Sequence, residues 1–170
     1  MEYHDKEWGV PLHDDKKLYE LFILECFQSG LSWECILNRR EAFRQAFDDF
    51  DIGRVIQYGE EKIAELLENS SIIRNRKKIE AAIGNSRIIK SIQEEHGSFD
   101  SYIWSFTQNK VIFEPCDEKT TSVLSDTVSK DLKKRGVRFA GSITVYSFLQ
   151  AAGVINGHTK NCKLFCSRGI

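Results

Sequence analysis

Glu25 falls seven residues after Leu18 and three after Phe22, in a segment whose apolar residues recur with helical spacing. That spacing places a carboxyl on the stripe of a helix that faces the core. A carboxyl taken out of water keeps its proton unless a partner stabilises the charge. Glu25 is therefore a candidate for ligand recognition or proton transfer. A carboxylate bonded to local backbone or to an arginine would fit the same position. Three aromatic residues, Tyr3, Trp8 and Trp33, could serve beside it. Trp8 and Trp33 each adjoin a glycine-containing turn (Trp8-Gly9 and Gly30-Leu-Ser-Trp33). Aromatics at loop ends can sandwich a planar ring, as a base pocket requires; ordinary core packing is the alternative.

A second constellation surrounds Gly136. Two glycines, Gly136 and Gly141, bracket an apolar turn containing Val137 and Phe139, and a helical segment begins at Ser142. Glycine lets backbone N–H groups approach a phosphate closely, and the positive end of the following helix points at the same place. Lys133, Lys134, Arg135 and Arg138 surround the turn. This is what a helix–hairpin–helix needs to grip a DNA backbone without reading its sequence. A plain pair of helices with a glycine cap and a solvated basic face has the same pattern.

The third is His158-x-x-x-Cys162, with Cys166 four residues later. Spacing of four puts ligands on one side of a helical turn, and histidine with cysteine suits zinc. Structural zinc takes four ligands, and His4 and His13 are the N-terminal residues with suitable chemistry. Cys26 and Cys35 sit among apolar residues and read as core thiols. An odd total of five cysteines points to a reducing compartment and away from a disulfide framework.

These residues must be held by helices. Only two prolines occur, Pro11 and Pro115, and the periodicity predicts a helix that follows Asp14-Asp15 and runs to about Gln28, and helices over 41–50, 52–58, 60–67, 74–92, 122–135 and 142–152. Ser32 can cap a further helix, and 102–106 reads as a short aromatic turn or helix. Residues 111–121 read as loop, with Val111-Ile112-Phe113 as a possible brief extended piece, and the tail from Gly153 reads as irregular. The expected class is all-α, one compact unit over 1–170, with the paired helices at about 124–152 and the ligand-bearing tail at 153–170. At 170 residues the chain buries enough surface to need no staple. No apolar run approaches the ~20 residues that span a bilayer, and the polar N-terminus is unlike a signal peptide, so the expected location is cytoplasmic.

The net charge of −1 conceals an asymmetry. Residues 132–170 hold no Asp or Glu and carry seven Lys and Arg, which leaves −8 on residues 1–131. Such a split suggests a basic face for a polyanion, most often nucleic acid. Acidic and basic segments that pair within the fold would produce it too.

Several separate motifs resemble one family. They are Tyr3-His-Asp-Lys-Glu-Trp-Gly-Val-Pro11, Leu24-Glu-Cys-Phe-Gln-Ser-Gly-Leu-Ser-Trp33, Ile72-Ile-Arg-Asn-Arg-Lys-Lys-Ile79, Trp104-Ser-Phe106, Leu132-Lys-Lys-Arg-Gly136 through Gly141, and Gly153-Val-Ile-Asn-Gly-His158 to Cys162. In this order they resemble the 3-methyladenine DNA glycosylases of the constitutive bacterial type, over essentially the whole chain. The resemblance implies an all-helical helix–hairpin–helix glycosylase that releases 3-methyladenine from alkylated double-stranded DNA as a monomer, with no lyase step. It implies that Glu25 contacts the flipped base, that Tyr3, Trp8 and Trp33 line or roof the pocket, and that Lys133, Lys134, Gly136, Arg138, Gly141 and Ser142 meet the DNA backbone. It further implies one structural zinc ion tying the chain ends through His4, His158 and Cys162. The family's fourth ligand is a cysteine upstream of the Tyr-His-Asp motif, which this sequence lacks; a start truncated relative to the family is the simplest expectation, with substitution by Cys166 or a three-ligand or empty site as the others. Many helix–hairpin–helix glycosylases use an aspartate about one helix after the hairpin, and no acidic residue follows Asp131 here. A non-catalytic module that binds damaged DNA is the alternative function.

Overall fold

The computed structural model describes residues 3, 6–114 and 119–158. Among these, nine α-helices and one 3₁₀ turn enclose a single apolar core. Helix α1 (Asp15–Gln28) is the axis of the fold. Asp14 caps it by accepting from Lys17 N. Every residue from Leu18 to Phe27 is buried, so this helix is surrounded and not merely amphipathic.

Two aromatic clusters flank α1. On one side Phe27 packs with Phe43 and Phe47 of the short helix α3 (Arg40–Ala46) and its C-cap. Phe47 in turn stacks on Phe50 at 5.8 Å. On the other side Phe22 meets Phe99 and Phe148 edge-on at 5.7 and 5.2 Å. The segment predicted as one helix over 41–50 divides after Ala46. Asp48, Asp49 and Phe50 all have positive φ, near +50°, a conformation that ends a right-handed helix.

Helix α2 (Trp33–Leu37) starts at Ser32, whose side chain accepts from Cys35 N as expected. The helices α4 (Ile52–Val55) and α5 (Glu60–Glu68) lead to the long helix α6 (Arg76–His96). Asn75 caps α6, and Gly97 ends it with φ +86°. Helix α7 (Phe99–Ser105) follows, and then α8 (Val123–Lys134) and α9 (Ser142–Ala151), which pack against each other across a tight turn. Ser122 and Ser125 form a reciprocal cap at the start of α8.

The fold is mostly helical, with one departure from the all-α expectation. Strands β1 (Ile112–Phe113) and β2 (Ile155–Asn156) pair in parallel, Ile112 opposite Ile155. Two-residue strands carry no usable periodicity, so the pairing is a tertiary event. The N-terminal segment lies along the end of α9: Leu12 N donates to Ala152 O at 3.0 Å, and Trp104 Nε1 donates to Leu12 O at 3.0 Å. Gly153 (φ +70°) makes that contact possible, because a Cβ there would overlap the Val10–Pro11 backbone.

Candidate active site and nucleic-acid interface

Helix α1 buries two carboxyls, and they have opposite fates. Glu20 is 4% exposed, and its Oε1 accepts from Arg40 Nε at 2.9 Å and from Arg44 Nε at 3.0 Å. Glu25 is 3% exposed, and its buried Oε2 has no hydrogen-bond partner among the described residues. The arginine-paired fate that spacing allowed for Glu25 thus belongs to Glu20. Burial pushes the Glu25 carboxyl up to about 8. The Tyr3 phenol is also raised above its ordinary range, first by burial and then by the charge of Glu25.

Tyr3, which feels this carboxyl, pairs with Trp33, their ring centroids 5.7 Å apart and their planes tilted by 45°. Trp33 is carried on the first turn of α2, placed by the Ser32 cap. Both rings border a cavity of about 370 Å³ whose wall also includes Leu21, Leu24, Arg40 and Arg44. That is within the range of small-ligand sites. Glu25 is not among the residues that line it, though its charge acts on the Tyr3 phenol that does. Trp8 does not line it either. It stands edge-on to His158, centroids 4.9 Å apart, where the N-terminal segment meets residues that follow α9.

His158 is 2% exposed, and its backbone N–H donates to Asn156 Oδ1. His4 and Cys162 lie outside the described residues, as do Cys166, Lys160, Lys163 and Arg168. Two imidazoles and a thiolate are the nitrogen and sulfur donors that suit zinc, and the buried imidazole of His158, beside Trp8, fits that chemistry. Cys26 is a core thiol, 4% exposed. Cys35 is not: it is partly exposed, and Arg39 Nη1 donates to its Sγ at 3.2 Å.

The turn between α8 and α9 brings Lys133, Lys134, Gly136 and Arg138 to the surface. None of these three cations forms an ion pair among the described residues. Arg135 is different. Its guanidinium donates to Glu95 at 2.6 Å and to Asp131 at 2.9 Å, and lies over the Tyr102 ring. One of the basic residues flanking the turn is therefore neutralised inside the fold. Helix α9 begins at Gly141 with no side-chain cap, whereas Asp14, Ser32, Asp51, Asn75, Ser98 and Ser122 each cap a helix. Its first N–H groups lack intrahelical acceptors. The Ser142 hydroxyl is engaged by Asp126 Oδ1 at 2.5 Å, so its backbone N–H is the group free to face a ligand. Facing this end, residues 29–31 close a groove of about 520 Å³ with Phe139, Gly141 and Ile143.

Among the buried polar side chains that escaped the sequence reading, Lys78 and Asn85 brace these elements. Lys78, 8% exposed, donates to the carbonyls of Phe27 and Ser29 at 2.7 and 2.5 Å. Asn85, 1% exposed, bonds the backbone of Arg138. Nothing in the spacing distinguishes Lys78 from its neighbour Lys77, or Asn85 from a surface residue.

The Methyladenine glycosylase family model matches residues 1–166. DNA-3-methyladenine glycosylase 1 of Escherichia coli is 41% identical over 164 residues, covering 94% of this chain and 88% of that protein. A crystal structure of 3-methyladenine DNA glycosylase I, also 41% identical, aligns with a TM-score of 0.91 over 97% of this chain and 92% of its own. The Staphylococcus aureus enzyme, in a structure addressing its recognition of 3-methyladenine, is 38% identical with a TM-score of 0.91 over 95% and 88%. With a matching architecture and this sequence identity, the chain belongs to the methyladenine glycosylase family.

Proposed function

We infer that this protein is a DNA-3-methyladenine glycosylase of base-excision repair. It hydrolyses the N-glycosidic bond of 3-methyladenine in alkylated double-stranded DNA and performs no lyase step. The observation that carries the site assignment is the unpartnered, buried Oε2 of Glu25, whose charge acts on Tyr3 of the Tyr3–Trp33 pair. An adenine methylated at N3 is already cationic, so its bond to the sugar is weak. When that bond breaks, the base leaves neutral and water adds to the sugar carbon. A strong acid or a bound nucleophile is not required.

The chain's own groups act on binding and orientation. Tyr3 and Trp33 offer aromatic faces to the cationic ring. Glu25 meets the ring's edge as a hydrogen-bond acceptor, and a nearby cation draws its proton off. Trp8, set edge-on against His158, holds Tyr3 through its backbone N–H, which donates to Tyr3 O at 3.0 Å. Residues 132–170 offer no carboxylate, and Asp131 is committed to Tyr102 and Arg135. Glu7 borders the cavity too but is held by Arg40 at 2.6 Å, which leaves Glu25 as the carboxyl of this site with an oxygen free to meet the base.

The α8–α9 pair acts as a helix–hairpin–helix that holds the DNA backbone through Lys133, Lys134, Arg138 and the N–H groups between Gly136 and Ser142. His4, His158 and Cys162 would hold a structural zinc ion. A metal there would supply cross-linking of the chain ends and hence folding free energy. The protein works as a cytoplasmic monomer. No helix among the described residues is long and apolar enough to cross a membrane.

The test is release of 3-methyladenine from alkylated DNA by the wild type and by Glu25→Gln. Release by the wild type, cut sharply in the variant, is expected. DNA binding with no base released would leave only a damage-binding module, and undiminished release by the variant would remove Glu25 from the site.

A further inference from the structure

The turn read above as a phosphate grip has an awkward backbone. Phe139 sits at φ +57°, a left-handed conformation that a residue with a large side chain adopts only when its surroundings impose it. Gly136, at φ +97°, supplies the other unusual angle at no steric cost. Phe139 is flanked by two fixed points. Ser129 Oγ donates to Ala140 O at 2.6 Å from within α8. On the other side, Asn85 of α6 takes both polar groups of Arg138: the Arg138 N–H donates to Asn85 Oδ1 at 2.8 Å, and Asn85 Nδ2 donates to Arg138 O at 2.8 Å.

A side-chain amide paired with a backbone amide in this way fixes orientation as well as position, since neither atom of the pair can rotate independently. The Asn85 side chain is itself 1% exposed, so it has few other partners to turn to. Asn85 Nδ2 also makes a long contact to Cys26 Sγ at 3.8 Å, and Cys26 follows Glu25 in α1. One buried amide therefore touches both the turn that faces the phosphates and the helix that carries the recognition carboxyl.

We propose that Asn85 is a positioning residue for DNA: it locks the Arg138–Phe139 backbone in the shape that presents the hairpin's N–H groups and cations to the phosphates, in fixed relation to the Glu25 helix. The inference rests on the reading of the α8–α9 turn as the DNA-backbone grip. It assigns no contact between Asn85 and DNA.

The experiment measures binding of a duplex containing an abasic-site analogue and, separately, binding of free 3-methyladenine. Asn85→Ala should weaken duplex binding about tenfold or more, as expected for losing a buried bonded pair, while free-base binding stays within about twofold. In a Phe139→Gly background, where the left-handed angle needs no enforcement, the loss caused by Asn85→Ala should shrink; a merely structural amide would cause the same loss in both backgrounds. Duplex affinity unchanged in Asn85→Ala, or free-base affinity falling in parallel, would overturn the proposal. Lys133→Ala and Arg138→Ala separate it from the reading beneath. If these leave duplex binding intact, the hairpin is not the grip; if they weaken it and Asn85→Ala does not, only the role of Asn85 fails. Should Asn85→Ala not fold, hydrogen exchange of the Arg138 N–H in the wild type decides. Slow exchange at this exposed residue supports the clamp, and exchange at an open-loop rate refutes it.

Discussion

The rings of Tyr3 and Trp33 are 5.7 Å apart, tilted by 45°, with no space between them for a third ring. A purine sandwiched between parallel faces needs about 7 Å, twice the ordinary stacking distance. The base must therefore part these rings or stack on one of them. Trp33→Ala removes the larger face and should lower kcat/KM for 3-methyladenine release by about 10- to 100-fold, matching the ~1–3 kcal/mol of one base–aromatic stack. Trp33→Phe should recover much of the loss. Binding to undamaged duplex should be unchanged in both, as an anisotropy titration would reveal.

Glu25 gives a pH signature. With its carboxyl at about 8 in the free protein, most molecules near neutral pH carry the proton, and the form that attracts a cationic base is the carboxylate. The pH profile of kcat/KM reports groups of the free enzyme. It should rise with pH and level off above about 8. Glu25→Gln should lose this limb along with most of its activity.

The same group affects stability in the opposite direction. Its folded value lies above the ordinary carboxyl value of 4.5, so between pH 4.5 and 8 the native state binds more protons than the unfolded state. Stability then falls as pH rises through that window and flattens above it, by up to about 5 kcal/mol for a shift of this size. Urea unfolding at pH 5 and pH 8 should display this fall in the wild type. In Glu25→Gln the component should vanish, leaving the variant more stable than wild type at pH 8.

The basic residues beside the hairpin divide into two kinds. Lys133→Ala and Arg138→Ala should each reduce the slope of log K against log salt for DNA by about one, since each removes an unpaired cation. Arg135 is held by Glu95 and Asp131. Arg135→Ala should lower the melting temperature while leaving the slope nearly unchanged, because its charge is already balanced within the protein.

Lys78 should matter for stability more than its place in a basic run suggests. Its ammonium satisfies two carbonyls at the C-terminal end of α1, where cations are favoured by the helix dipole. Lys78→Met keeps much of the volume and strands both acceptors, so a loss of about 2–4 kcal/mol is expected in denaturant titration. Lys77→Met, one residue away on the exposed side, should be nearly neutral.

Most helices were legible in the sequence because their apolar spacing and caps are local. Ser32 acts as the cap the sequence made it, and Asp14 precedes α1 as an N-cap, whereas Ser122, read as the first residue of its helix, is the cap of α8. The break at Asp48–Phe50 was not legible, since three consecutive left-handed residues follow from packing and from no residue's own preference. The parallel pairing of Ile112 with Ile155 was missed for a similar reason: two residues have no period, and their partners are more than forty positions away.

By itself the sequence determined the buried position of Glu25, the exposed cations beside Gly136, and the absence of any carboxylate after Asp131. These follow from periodicity and composition, which are properties of the chain before it folds. Only the tertiary structure decided which carboxyl would be neutralised. Glu20 and Glu25 lie on one helix that the fold buries all round; the spacing put only Glu25 on the apolar stripe and allowed an arginine beside it. Arg40 and Arg44 come from α3, whose placement against α1 is fixed by the packing of Phe27 on Phe43 and Phe47. That packing brings both guanidinium groups to Glu20 and leaves Oε2 of Glu25 without a partner, because a buried charge is set by what the fold places next to it.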